Sequence, residues 1–279
     1  MKIDRIREIE ILELADKFDP LTANLSVELA NWLNSTLSFT LIRNVIDKSI
    51  DESFYQIDKE EDQVSEVHAR RKKLNEIQQD LFSLPLELGF DFLNLEDQRD
   101  IQKWLANLGA DMIVVSGFLK DMRLGWRASL ISHIHQSSSA IVAVAPSGEM
   151  SLNFHTLIVP YHLDSLSDEK LTVLKWFVEQ MGLLVEFVHV VTDDENTEDF
   201  ELTDKCERAM THIEEYFNNN LVKFYFPRNK NLNGGLKQFL KHKSNYIISY
   251  IDDYGKNAYL GNSVGQSKLD PINALTVLI

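Results

Sequence analysis

The sequence predicts an α/β protein built on parallel strands, with one arrangement present twice. Short apolar runs alternate with longer amphipathic stretches along the chain, which is typical of parallel strands joined by helices. The alternation restarts after Pro146-Ser147-Gly148, a combination that marks a turn. We therefore expect one domain over residues 1–147 and a second over residues 151–279, each with five strands.

The first domain is predicted from five apolar runs. Runs this short and continuous are typical of buried parallel strands, which have helices on both faces. The strands are predicted at Ile9–Ala15, Leu37–Val45, Leu84–Phe90, Met112–Ser116 and Ala140–Ala145. The helices between them are predicted near residues 20–35, 58–82, 96–108 and 123–136.

The second domain repeats this alternation in the same order. Its strands are predicted at Thr156–Tyr161, Leu183–Val191, Leu221–Phe226, Tyr246–Ile251 and Ala274–Leu278. Its helices are predicted near residues 166–181, 199–219, 232–242 and 257–268.

The spacing of matched positions supports a duplication. Leu37 matches Leu183 at an offset of 146 positions, and Ala140 matches Ala274 at an offset of 134. One step of 12 between two constant offsets predicts a single deletion in the second copy. The similarity lies in the pattern more than in identical residues.

Composition excludes several classes of protein. The chain has 279 residues, with 28 Lys and Arg against 43 Asp and Glu, a net charge of -15 and one cysteine, Cys206. A single cysteine excludes a disulfide scaffold, and the acidic balance gives nucleic acid no electrostatic footprint. The first residues of the sequence contain no uninterrupted apolar stretch of signal-peptide length, and no apolar run elsewhere is long enough to predict a membrane span. We expect a cytoplasmic protein with no nucleic-acid or membrane partner.

Four segments resemble the universal stress protein family. Residues 110–116, ADMIVVS, resemble the family's fourth strand, A-D-L-I-V-M-G, and residues 139–144, SAIVAV, resemble its closing strand, C-P-V-L-V-V. In the second copy, Leu157–Pro160 resembles the opening I-L-V-P, and Phe187–Val191 resembles a second strand that ends in L-L-H-V. The match extends over nearly the whole chain, twice, so the chain resembles a tandem universal stress protein.

This resemblance implies a fold and a ligand site. It implies a flavodoxin-like, five-stranded parallel sheet in each domain, and an intramolecular pseudo-dimer in which the two domains pair through their last strands. Many members bind ATP through an Asp after strand one, a Val after strand two and a G-x-x-G-x9-G-[ST] loop after strand four. The residues at matching positions are Asp16 in the first copy and Pro160, Val190, Gly261 and Asn262 in the second.

The phosphate loop departs from the family pattern in both copies. Ser116, Leu119 and Arg127 occupy the three glycine positions in the first copy, and Tyr250, Asp253 and Gly261 occupy them in the second. Glycines at these positions let backbone N–H groups approach phosphates. His162 also replaces the family Asp in the second copy. Degenerate sites are therefore favoured over a modified nucleotide pocket, which remains the alternative.

Other candidate residues are weaker. His133 and His135 are two apart on a predicted helix, so they point in different directions and a shared metal ion is disfavoured. His162 and His189 are predicted at the carboxyl ends of two parallel strands, where such sheets bind ligands. A structural role remains the favoured interpretation of His189. Cys206 is interpreted as an incidental thiol.

The remaining motifs do not indicate an enzyme. Asn233-Gly234-Gly235 precedes a helix, where it serves as a turn or binds an anion. Ala15–Pro20 lacks the S-G-G-x-D-S loop of the related ligases and sulfurtransferases. We predict a non-enzymatic stress or regulatory protein with no catalytic residue, metal or cofactor, acting through an unknown protein partner or small molecule. The alternative is an ATP- or AMP-binding protein with a modified pocket and slow or no hydrolysis.

Overall fold

A computed structural model describes eleven segments of the chain. They are residues 6–14, 19–43, 90–94, 98–119, 130–137, 140–146, 152–164, 166–192, 199–217, 221–251 and 274–279. The predicted helices at 58–82 and 257–268 lie outside these residues, as do Asp16, Gly261 and Asn262.

Ten strands form one continuous sheet in the order β3-β2-β1-β4-β5-β12-β11-β6-β7-β9. The first group contains β1 (Glu8–Leu14), β2 (Thr36–Arg43), β3 (Phe90–Asn94), β4 (Met112–Val115) and β5 (Ile141–Val144). The second contains β6 (Thr156–Pro160), β7 (Leu184–Val188), β9 (Val222–Tyr225), β11 (Tyr246–Tyr250) and β12 (Leu275–Leu278). The structure confirms the mostly parallel α/β fold, but as one sheet rather than two separate ones.

All strand pairs within each group are parallel, whereas β5 and β12 pair antiparallel. The carboxyl ends of the two groups therefore lie at opposite edges of the sheet. In each group the strand order reverses beside the first strand, between β1 and β4 and between β6 and β11. Open α/β sheets bind ligands beyond the carboxyl ends of strands at such reversals.

Six described helices cover the two faces of the sheet. One face carries α1 (Pro20–Leu33), α4 (Asp168–Met181) and α5 (Asp199–Glu214). The other carries α2 (Gln98–Asn107), α3 (Leu130–Ser137) and α6 (Leu232–Leu240). None of these helices is long and apolar enough to span a bilayer.

Each face has one apolar core that includes residues of both strand groups. Helices α1 and α4, which belong to different groups, pack against each other on one face. The Trp32 ring at the end of α1 meets Phe154 edge-on, with ring centroids 6.1 Å apart. Because apolar burial is the dominant stabilising term in folding, these shared cores hold the two groups together.

The described third strand extends beyond its predicted end. The prediction placed it at Leu84–Phe90, whereas β3 covers Phe90–Asn94 and pairs in parallel with β2. Residues 84–89 lie outside the described part of the chain, so the structure tests only Phe90 of the predicted run.

The predicted strand Leu183–Val191 is two strands. β7 ends at Val188, and Val191–Thr192 (β8) then pairs with Arg228–Asn229 (β10) in a separate two-stranded sheet. The chain leaves the main sheet at His189 and Val190, where it passes under the start of α6. Pairs of two residues have no periodicity to detect in a sequence.

The glycine pair at the start of α6 has a packing role. A Cβ on Gly235 would lie 2.3 Å from Cγ1 of Val190, and a Cβ on Gly234 would lie 2.6 Å from Oδ1 of Asn229. The side chain of Asn231 caps the helix by accepting a hydrogen bond from the Gly234 N–H at 2.7 Å. These glycines let α6 approach Val190 and β10 closely. Packing therefore accounts for both glycines, and a bound anion is not needed to explain them.

We predict that Gly235→Ala lowers the free energy of unfolding by about 1–3 kcal/mol, because the added methyl group overpacks against the buried Val190. In the double variant Gly235→Ala/Val190→Ala the loss should be smaller than the sum of the two single losses. Urea unfolding of the four proteins measures this coupling. Gly109→Ala is the control, since its Cβ would meet Glu8 at an ordinary 3.6 Å. Additive losses would contradict the proposed contact.

Candidate functional site

At the carboxyl ends of the first strand group, a buried carboxylate is hydrogen-bonded to the first residue of the expected phosphate loop. Asp19 is 5% exposed and Ser116 is 1% exposed. The Ser116 hydroxyl donates to Oδ2 of Asp19 at 3.0 Å, and the Thr22 hydroxyl donates to the same oxygen at 2.6 Å. The second oxygen, Oδ1, accepts from the Leu21 N–H at 3.2 Å and caps α1. Ser116, expected at the first loop position, is thus bonded to an acid.

The neighbouring Gly117 is required by packing. It begins a short 3₁₀ turn, Gly117–Leu119, and is buried. A Cβ here would lie 2.6 Å from the carbonyl carbon of Pro146 and 2.7 Å from the carbonyl oxygen of Ala145. The backbone after β5 therefore covers the side of Gly117 on which a Cβ would lie.

At the carboxyl ends of the second group, two histidines lie side by side. His162 follows β6 and His189 follows β7, with ring centroids 5.8 Å apart. Nδ1 of His189 lies 3.2 Å from the Tyr161 carbonyl oxygen. A carbonyl only accepts hydrogen bonds, so Nδ1 of His189 carries the hydrogen. His189 is 2% exposed and contacts Phe226, which supports the structural role favoured from the sequence.

The structure describes two of the five residues that the resemblance assigned to ligand binding. Pro160 is buried at the end of β6, and Val190 is buried with its side chain against Gly235. Tyr250, which the resemblance places at the first glycine position of the second half, is fully buried at the end of β11. Asp16, Gly261 and Asn262 lie outside the described residues, so the structure does not test their roles.

A cavity of about 310 Å³ opens beside these strand ends, between α5 and the loop that joins β6 to α4. We call it the α5 pocket. Its volume is at the lower end of the range for small-molecule sites. Its lining combines three basic side chains, one carboxylate and three apolar residues: Lys205, Arg208, His212, Asp164, Leu163, Leu166 and Ala209.

Each basic side chain of the α5 pocket is paired with a carboxylate. Lys205 Nζ lies 3.3 Å from Asp164, and Arg208 lies 2.8 Å from Asp204 one turn earlier on α5. Nε2 of His212 lies 2.7 Å from Asp168 in the first turn of α4. The hydrogen bond from His212, followed by one from Tyr216, holds the pKa of Asp168 below its ordinary value.

Behind the pocket, α5 also brings Cys206 near the phenol of Tyr161. Burial raises the pKa of Tyr161, and the charge of a Cys206 thiolate would raise it further. Tyr161 is 2% exposed and its hydroxyl has no hydrogen-bond partner among the described residues. The phenol is therefore neutral and belongs to the core of this half.

His133 and His135 lie half-buried on α3, the helix that precedes β5 in the chain. Burial lowers the pKa of His133, which favours the neutral form of its ring. In the eleven described segments, no group of three or more His, Cys, Asp or Glu side chains is arranged to hold a metal ion.

The α5 pocket is absent from the sequence-based predictions, although the residues that line it on α5 have a regular spacing. Lys205, Arg208, Ala209 and His212 have the spacing of one helix face. The sequence alone predicts only an incidental thiol in this segment, Cys206. Leu163, Asp164 and Leu166 follow β6 in the sequence, and their proximity to α5 depends on the tertiary fold.

Comparisons with known proteins identify the fold. No family model matches the sequence, and no curated protein matches it. A structure from Pseudomonas aeruginosa UCBPP-PA14, described provisionally as a universal stress protein, aligns with a TM-score of 0.62 and 10% identity over 98% of this chain and 93% of that one. A universal stress protein from Archaeoglobus fulgidus DSM 4304 aligns with a TM-score of 0.57 and 13% identity over 97% of this chain and 95% of that one.

A third similar structure, from Pseudomonas aeruginosa PAO1, belongs to a protein of unknown function. It aligns with a TM-score of 0.59 and 12% identity over 98% of this chain and 92% of its own. The structural alignments show a shared fold over almost the whole chain. At identities this low they do not show a shared function, which has to be argued from the residues of the site.

We predict that Asp168→Asn removes a pH-dependent part of the stability. The pKa of Asp168 is lowered in the folded protein, so its stabilising effect is present above the ordinary value of 3.8 and is lost as pH falls through the lowered pKa. Urea unfolding should separate wild type from Asp168→Asn near neutral pH, and the gap should narrow at about pH 3. An equal gap at both pH values would contradict this assignment.

Proposed function

We propose that this chain is a tandem universal-stress-like protein with a binding role and no catalytic activity. In this proposal residues 1–147 and 151–279 are diverged copies of one domain, joined as an intramolecular pseudo-dimer through β5 and β12. The repeated strand order and the antiparallel pairing of the two closing strands support it. The fold shared with universal stress proteins over 98% and 97% of the chain supports it as well.

The buried bond between Asp19 and Ser116 carries the proposal of a degenerate nucleotide site. A phosphate at the carboxyl end of β4 would meet a carboxylate at 5% exposure, in surroundings where charges are poorly screened. The Ser116 hydroxyl already donates to that carboxylate. Gly117, the nearest glycine, is covered by the backbone of residues 145 and 146. Repulsion and lost donors both oppose a triphosphate here.

A second candidate function is adenine-nucleotide binding in a modified pocket. The specific observation that favours it is the grouping of Pro160, His162, His189 and Val190 at the ends of β6 and β7. No acid described at these strand ends repeats the bond between Asp19 and Ser116. In this alternative, hydrolysis is slow or absent, and replacing Asp16 and Gly261 weakens nucleotide binding.

We predict that the full chain binds Mg·ATP, ADP and AMP with dissociation constants no tighter than about 1 mM, which corresponds to about −4 kcal/mol. We also expect no release of phosphate from ATP above the rate without protein. Isothermal titration calorimetry and a phosphate-release assay measure the two results.

A universal stress protein with a complete G-x-x-G-x9-G-[ST] loop, titrated under the same conditions, is the positive control. Micromolar ATP binding by this chain would overturn the degenerate site. If Asp16→Ala and Gly261→Ala then weakened that binding, the second candidate function would replace the first.

A further inference from the structure

We propose that the α5 pocket binds a small organic oxyanion, a carboxylate or a phosphate monoester with a short apolar body. This inference goes beyond the proposed function, because the pocket uses none of the residues assigned to nucleotide binding. Its lining residues come from α5 and from positions 163, 164 and 166, which follow β6.

The basic side chains of the pocket favour an anion. Lys205, Arg208 and His212 line it, and they are paired with Asp164, Asp204 and Asp168 respectively. Of these three carboxylates, Asp164 is the one among the described lining residues. A ligand oxyanion would therefore compete with these carboxylates for the basic groups.

Existing ion pairs leave these cations available to a ligand. The Asp164 side chain is 60% exposed and the Asp168 side chain is 74% exposed, so solvent screens both of these ion pairs. Exposed pairs contribute little to stability. An oxyanion inside the pocket can therefore replace the carboxylate beside Lys205 at small cost, and Arg208 can offer it a planar pair of donors.

The apolar part of the lining determines the size of the ligand. Leu163 and Leu166 form one wall of the pocket. The other wall is the face of α5 that carries Arg208, Ala209 and His212. A volume of about 310 Å³ accommodates a compact ring or a short chain. The oxyanion would contact the basic side chains and the apolar body would contact the leucines.

Ligand-observed NMR titration of the full chain tests the proposal with three probes: benzoate, phenyl phosphate and inorganic phosphate. We expect one or both of the aromatic anions to bind, and to bind more tightly than inorganic phosphate. Lys205→Gln/Arg208→Gln should weaken binding at least about tenfold, through the loss of two charged donors. The control Lys237→Gln/Lys241→Gln removes two exposed charges from the α6 region and should leave affinity within about twofold.

Asp164→Asn provides a test of opposite sign. It removes the carboxylate that competes for Lys205, so we expect binding to strengthen about threefold. A general loss of structure would weaken binding instead. Absence of binding by all three probes up to about 10 mM would overturn the proposal. The proposal would also be overturned if Lys205→Gln/Arg208→Gln and Lys237→Gln/Lys241→Gln bound the probes with equal affinity, or if Asp164→Asn bound them more weakly than wild type.

The same variants separate this proposal from the proposed function. Nucleotide titration of Lys205→Gln/Arg208→Gln reports only on sites outside the α5 pocket. If this change abolishes AMP binding, AMP binds in the α5 pocket, and the proposal that the strand-end site is degenerate still holds. Binding that survives the change overturns the degenerate site without affecting the pocket.

Discussion

The antiparallel pairing of β5 with β12 is the contact on which the rest of the structure depends. Thr276, Val277 and Leu278 pair with Val144, Ala143 and Val142, and every one of these residues is buried. Without this pairing each strand group would expose an apolar edge with unpaired N–H and C=O groups, a form prone to aggregation. With it, the apolar cores on both faces continue from one group into the other. The sheet is therefore a single structural unit.

Most of the fold could be predicted because its central strands are buried on both faces. Such strands are continuous apolar runs, and Met112–Val115 and Thr156–Pro160 begin at the predicted residues. Prediction failed where the apolar signal was weak. β3 contains the polar residues Asp91 and Asn94, so it is not a continuous apolar run, and the two-residue strands β8 and β10 are too short to show a periodicity.

Less of the candidate site could be predicted, because its contacts join distant parts of the chain. The sequence places His162 and His189 after strands, and the structure agrees. Asp19 and Ser116 are 97 positions apart, and nothing in either segment predicts that they meet. The glycine pair at 234 and 235 left two interpretations open until its contacts with Val190 and Asn229 were known. The helix face that lines the α5 pocket has a recognisable spacing in the sequence, but no pattern predicts that Leu163 and Leu166 lie opposite it.

The opposite orientation of the two strand groups makes this a molecule with two unlike ends. The Asp19–Ser116 bond lies at one edge of the sheet and the α5 pocket lies at the other, about 15 Å away or more for strands of five residues. One small ligand cannot touch both ends. Mutations at one end can alter its binding properties while the other remains unchanged. Any communication between the ends has to pass through the shared sheet and its cores, so each end is free to serve a different partner.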